Sequence, residues 1–368
     1  KKYQWPAMPL ALHGVIVKKD GQVKHVLVGE KADDPVFTIA DLLPHLAKDQ
    51  MEKKMSEAVN AESLNALVGT RPQVQREEDL IKAFVMTLLQ DRYGIEEDDL
   101  VSAELQLVPA YPARDVGMDR SMVGSFGQDD RVCAYTALQA ALEIDAPART
   151  VICLFVDKEE IGSAGNTGLK SLMIENMVAE IMHKAGKNEY YSLRQALSSS
   201  HALSADVNAA VDPNYPEVFE KMNCSFMSQG VVLTKYTGSR GKSDSNDANP
   251  EFIAKIRQLF DEAGVIWQVG ELGKVDIGGG GTVSKYLAHY GMEVVDCGVA
   301  LLSMHSPFEV ASKLDVYMAF LAYKAFMQKF SPRTTASKPA PEKRGDEPWP
   351  KSTPVSPKWS ERLAEQRK

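Results

Sequence analysis

Cysteine is scarce in this 368-residue sequence. The four present, Cys133, Cys153, Cys224 and Cys297, form no CxxC pair, so neither a zinc knuckle nor a disulfide framework is supported. Long apolar runs are missing as well. None approaches the ~18 residues of a membrane-spanning helix, so no membrane partner is expected. The opening Lys1-Lys2-Tyr3-Gln4-Trp5-Pro6 lacks the apolar stretch of a secretory leader. Positive charge is in deficit: 42 Lys and Arg against 50 Asp and Glu give a net charge of −8, which argues against a nucleic-acid partner. The expected location is the cytoplasm.

What remains is an ordinary globular balance, 44% hydrophobic and 25% charged, on a chain long enough for two or three domains. Composition changes near residue 331. The last 38 residues hold seven of the 19 prolines and a local charge of +4, and read as a disordered tail, 331–368. Residues 1–112 read as one α+β block. Apolar runs at 12–17 and 23–28 flank Lys18-Lys19-Asp20-Gly21, a hairpin signal. Leu80, Ile81, Phe84, Leu88 and Leu89 form a helical stripe within 77–93 that stops at Gly94, and 100–108 is a strand.

From 113 to 330 the pattern is β/α. Strands are predicted at 150–156, 202–207, 231–235, 265–269 and 293–299, the first as a buried parallel strand. Helices are predicted at 130–142, 167–185, 249–263, 282–289 and 310–330. The fold class is α/β: a mixed, mostly parallel sheet with helices on both faces, plus the inserted α+β block.

In open α/β sheets the site lies at the carboxyl ends of strands. Four polar segments sit at such places: Gly127-Gln128-Asp129-Asp130-Arg131, Asp157-Lys158-Glu159-Glu160-Ile161-Gly162-Ser163, Ser204-Ala205-Asp206 and Ser303-Met304-His305-Ser306. Taken singly each has a structural reading. Asp129-Asp130 caps a helix, Glu159-Glu160 is solvated, Asp206 turns the chain and His305 is a hydrogen-bonded imidazole. The glycine run 278–281 lacks both the GK[ST] ending of a P-loop and the spacing of a dinucleotide fingerprint. Taken together, carboxylates and an imidazole at successive β/α junctions are what a divalent-metal hydrolase needs. Two metals require a bridging carboxylate. A further carboxylate must stay unligated to take a proton from the attacking water.

These segments, in this order and with Val211-Asp212-Pro213-Asn214-Tyr215 following Asp206, resemble the aspartyl-aminopeptidase family over roughly residues 1–330. The resemblance implies a co-catalytic di-zinc aminopeptidase acting on peptides, with Mn²⁺ or Co²⁺ as substitute metals. It implies that Asp129 bridges the two ions, Glu160 and His305 complete the second, Asp206 binds the first and Glu159 is the general base. Gly279, Gly280 and Thr282 would lie against the substrate. Residues 1–112 would be the inserted dimerisation domain, with dimers building a homo-oligomeric dodecamer, and 113–330 the catalytic domain.

The family's first ligand histidine, with an Asp two residues later, would fall before Lys1. The first metal then has only Asp129 and Asp206, since His13, His25, His45, His183, His201 and His289 match no ligand position. Ala209 and Asp212 stand where animal members carry histidines, which leaves the preferred amino-terminal residue open. The alternative expectation is a catalytically impaired, oligomerising homologue. A third reading is a nucleotide-binding protein using the glycine run.

Overall fold

The computed structural model describes residues 1–73 and 79–331. The expected tail lies outside the described residues except for Ser331, as do the first residues predicted for the helix at 77–93.

The first block is built on an antiparallel sheet of β1 (Leu10–Val17), β2 (Val23–Val28) and β3 (Ala103–Pro109), with β1 in the centre. The Asp-Gly hairpin forms as expected: Lys18 N–H donates to the Gln22 carbonyl at 2.9 Å, and Gly21 takes φ +83°. Two short helices, α1 (Lys48–Met51) and α2 (Met55–Ala58), precede α3 (Leu80–Tyr93), which ends in the left-handed Gly94. Ile16, Val26, Val28 and Ile95 form a core of their own, with Leu89 and Tyr93 of α3 packed against it. The block is tied to the rest by the Tyr111 hydroxyl, which donates to the Pro307 carbonyl at 2.9 Å, and by the edge of Trp5 on Phe126.

The remaining strands are β4 (Arg114–Val116), β5 (Met122–Ser125), β6 (His201–Ser204), β7 (Asn208–Ala209), β8 (Val231–Thr234), β9 (Trp267–Val269), β10 (Glu293–Gly298), β11 (Ala300–Leu302) and β12 (Glu309–Ser312). The helices are α4 (Gln128–Glu143), α5 (Met173–Lys184), α6 (Tyr190–Ser198), α7 (Pro250–Ala263), α8 (Ser284–Ala288) and α9 (Lys313–Lys329). Two sheets result, ordered β6-β10-β8-β9 and β4-β5-β12-β11-β7. The mixed α/β class is as expected, but parallel pairs do not predominate. Among the described strands, only the pairs β6–β10, β8–β9 and β7–β11 are parallel, because tight returns such as 303–308 reverse the chain between neighbours.

Helices cover both faces of the first of these sheets. Alternation along β10 sorts the two cores. Val295 and Cys297 face α4, α7 and α9, while Val294 faces α5, α6 and α8. In α7 the buried residues Phe252, Ile256, Leu259 and Phe260 repeat at helical spacing. Each truncation to Ala there removes about 2–5 kcal/mol of stability.

Three predicted elements differ. Residues 150–156 form no strand: no backbone hydrogen bond ties them to a neighbour among the described residues. The chain is apolar without being laddered. Cys153 packs on one core, Leu154 and Val156 on the other, and Ile152 and Phe155 are exposed. The helix predicted at 167–185 begins only at Met173, because the backbone of 167–170 is engaged by the preceding turn: Thr167 O accepts from Asp157 N–H, and Lys170 N–H donates to Ser163 O, both at 3.2 Å. The helix predicted from 310 begins at Lys313, since residues 309–312 pair with β5 and β11 as β12.

Gly14 tests the packing of the first sheet. It has φ +150°, and a β-carbon there would overlap the Glu104 carbonyl oxygen on β3. Gly14→Ala should lower unfolding free energy by about 1–3 kcal/mol, read by urea denaturation. An unchanged midpoint would refute the contact.

Candidate active site

All eight residues singled out for the site, Asp129, Glu159, Glu160, Asp206, Gly279, Gly280, Thr282 and His305, line one cavity of about 230 Å³. They come from five places. Asp129 stands at the start of α4 in a non-helical conformation, φ −86° and ψ 106°. Glu159 and Glu160 open a single 3-10 turn, Glu159–Ile161, after residues 150–156. Asp206 lies between β6 and β7, and the glycine run precedes α8. His305 lies between β11 and β12 with φ +61°.

The polar groups fall into three overlapping sets. Asp129, Glu160 and His305 offer atoms within 4.8 Å of one another; so do Asp129, Asp130 and Asp206, and so do Asp130, Glu159 and Glu160. His305 Nε2 lies 2.9 Å from Asp129 Oδ2 and 3.4 Å from Glu160 Oε2. Asp129 is thus common to two sets. Gly298 makes room for Asp206, since a β-carbon at Gly298 would overlap the Asp206 carbonyl oxygen.

Five carboxylates here face one imidazole, and the electrostatics record it. Burial pushes Asp129 up to about 7, against the His305 hydrogen bond that favours its charge. Glu159 is also pushed up to about 7, by burial and then by the Asp130 and Glu160 charges. Asp206 is raised well above the usual carboxylate range, first by burial and then by Asp130 and Asp296. The Asp129 carboxylate raises His305 to about 9. One oxygen of Asp130, Oδ1, is buried without a hydrogen-bond partner among the described residues. Unpaired oxygens and mutually repelling carboxylates, joined by one imidazole nitrogen, suit divalent cations of the zinc type.

Two residues went unassigned in the sequence reading. Asp130, read as a cap, belongs to two of the three sets. Glu309 is 2% exposed, and its carboxylate joins two backbone sites. Oε2 accepts from Asp129 N–H at 3.1 Å and Oε1 from His305 N–H at 2.7 Å. The signal for Glu309 was its place four residues after His305, at an inward position of an apolar strand. The histidines that matched no ligand position are absent from the cavity lining: His13 Nε2 lies 2.8 Å from Glu30, and His201 packs on Phe252 and Phe330.

The glycine run is not a phosphate cradle. The N–H groups of Gly278, Gly279 and Gly280 donate to the carbonyls of Lys274, Leu272 and Thr237 at 2.6, 2.8 and 2.6 Å. A cradle needs those donors free. The nucleotide-binding reading therefore fails.

Two outcomes follow from the charges and the Glu309 strap. Glu309→Gln places an amide N–H₂ against a backbone donor. It should lower stability by about 1–3 kcal/mol in urea and weaken zinc binding about 10–100-fold in a chelator competition. Unchanged zinc affinity would refute the role. The second concerns pH. An acid whose folded pKa lies above its unfolded one keeps its proton longer in the folded chain, so stability falls as pH rises between the two values. For Asp129 and Glu159 that window runs from about 4 to about 7, and for His305 from 6.5 to about 9. Chelator-treated protein should therefore be less stable in urea at pH 8 than at pH 5, and Glu159→Gln should flatten the acidic part of the decline. A rise in stability from pH 5 to 8 would contradict the assignment.

Comparison with known proteins agrees with this site. Residues 1–327 match the family model of the aminopeptidase I zinc metalloproteases, M18. The chain is 54% identical over 328 residues to a probable M18 family aminopeptidase 1 of Clostridium acetobutylicum, covering 89% of this chain and 70% of the relative. The crystal structure of an M18 aminopeptidase from Thermotoga maritima superposes with a TM-score of 0.86 at 47% identity, over 89% of this chain and 73% of that one. Aminopeptidase I from Clostridium acetobutylicum gives 0.84 at 51%, over 89% and 71%. With that match and an acidic, imidazole-bearing cavity in place, the chain belongs to the M18 family of zinc metalloaminopeptidases.

Proposed function

We propose that the protein removes amino-terminal residues from peptides with two zinc ions and Glu159 as general base. The observation that carries this is the sharing of Asp129 between two ligand sets in one cavity. Asp129, Glu160 and His305 would hold one ion, and Asp129 with Asp206 the other. Mn²⁺ or Co²⁺ would suit the same oxygen-rich set. When bound, zinc supplies Lewis-acid polarisation of the scissile carbonyl and a lowered pKa for the attacking water.

The chain's own residues supply the rest. Glu159 lines the cavity beside Glu160 and is left over once Glu160 serves as a ligand. Its pKa of about 7 suits a carboxylate that takes a proton near neutrality and passes it to the leaving amine. Glu309 holds the backbone of Asp129 and His305, fixing where both side chains start. Gly279, Gly280 and Thr282 form the wall on which the peptide would rest.

Residues 1–112 are proposed to mediate dimerisation within a larger homo-oligomer. Leu42, Leu43, Leu46, Met51 and Met55 are all exposed there, an apolar surface out of place on a monomer. A cytoplasmic setting suits the four unpaired thiols. The alternative of an impaired homologue turned on where the sequence begins, and no residue of the described cavity favours it.

Zinc content and turnover of leucine anilide test the reading. Glu159→Gln should keep its zinc and lose about 10²–10⁴ in kcat. Glu160→Gln should lose zinc, and Asp129→Ala should release more than Asp206→Ala. Zinc lost from the first variant and kept in the second would reverse the two roles.

A further inference from the structure

Behind the glycine wall runs a hydrogen-bonded chain, whose role rests on the reading of the cavity as a peptide site. It begins at Asp296, on the Val294 face of β10 and 4% exposed. Its Oδ2 accepts from the Ser284 hydroxyl at 3.0 Å. Ser284 opens α8, is fully buried and does not line the cavity. Its oxygen lies 2.6 Å from the hydroxyl of Thr282, which does line the cavity.

The protons can be counted. Burial raises Asp296, and a proton that it keeps sits on Oδ1, which has no partner among the described residues; Oδ2 accepts, and a serine hydroxyl has one hydrogen. Ser284 gives that hydrogen to Asp296. In the contact between Ser284 and Thr282, the donor must then be Thr282. With its only hydrogen turned inward, the Thr282 hydroxyl offers the cavity lone pairs alone. The neighbouring N–H groups of Gly278, Gly279 and Gly280 are spent inside the protein and supply no donor either. Thr237, whose buried Oγ1 has no partner among the described residues, keeps its hydrogen for another group.

We propose that Thr282 is a specificity residue that accepts a hydrogen bond from an N–H of the bound substrate, and that Ser284 and Asp296 are positioning residues that fix this polarity. The shared chemistry is an N–H donor, and two parts of a peptide carry one: the terminal ammonium and the amide nitrogen.

Calorimetric binding to the zinc-loaded chain separates these sources. Leucinamide has both groups, leucinol has the ammonium without the amide, and 4-methylpentanamide has the amide without the ammonium. Thr282→Val should weaken leucinamide about tenfold, the loss of one hydrogen bond to a charged donor, and Thr282→Ser should restore it. Leucinol weakened in parallel, with 4-methylpentanamide spared, assigns the ammonium. The converse pattern assigns the amide. Ser284→Ala frees the Thr282 proton to turn outward and should weaken the same ligands about two- to threefold, without touching them. Equal loss for all three ligands, or none, overturns the inference while leaving the aminopeptidase reading intact. Wild-type protein that binds none of the three overturns the peptide site itself, and the inference with it.

Discussion

A single buried carboxylate holds the site together. Glu309 accepts from the backbones of Asp129 and His305, two groups that arrive from opposite ends of the catalytic sequence. The side chain of its neighbour in the strap, Gln128, donates to the Glu309 and Val123 carbonyls at 2.6 and 3.1 Å, which closes α4 onto β12 and β5. The loop carrying His305 and the start of α4 are therefore tied to each other. Geometry explains the choice of residue: one carboxyl group presents two oxygens, and each accepts from a different backbone donor.

On that frame the sequence places more negative charge than it can neutralise. His305 is raised to about 9 because it is the imidazole that faces Asp129 and Glu160. Asp206, Asp129 and Glu159 are all raised instead of ionising freely. Crowded carboxylates repel one another, and a cation held among them would turn that repulsion into affinity. The same crowding raises Glu159 to about 7, so one electrostatic arrangement would serve both the proposed metal retention and the proposed proton transfer.

The residues that line the cavity were largely legible in the sequence because they sit in short contiguous motifs at turns of the chain. Each motif brings its own turn residues, such as Lys158 with φ +65° ahead of Glu159. The groups that support those motifs were harder to see. Glu309 is one acid in an apolar run, and its meaning depends on which face of β12 is turned inward. Asp130 looks like an ordinary helix cap until Asp206 and Glu160 are brought beside it. Residues 150–156 have the composition of a buried strand, but a ladder is a property of two segments, and no described segment pairs with this one. Residues 167–170 have helical spacing, yet their backbone groups are drawn to the acidic turn. In each case the outcome depended on which other segments were, or were not, brought alongside.

In the glycine run beside the cavity, the N–H groups of Gly278, Gly279 and Gly280 are already engaged with Lys274, Leu272 and Thr237. A glycine-rich segment ordinarily loses much conformational freedom when it closes on a ligand. Here that entropy is surrendered once, during folding, and is not charged again at each encounter. A ligand resting on this run would then be oriented without the cost of ordering the loop.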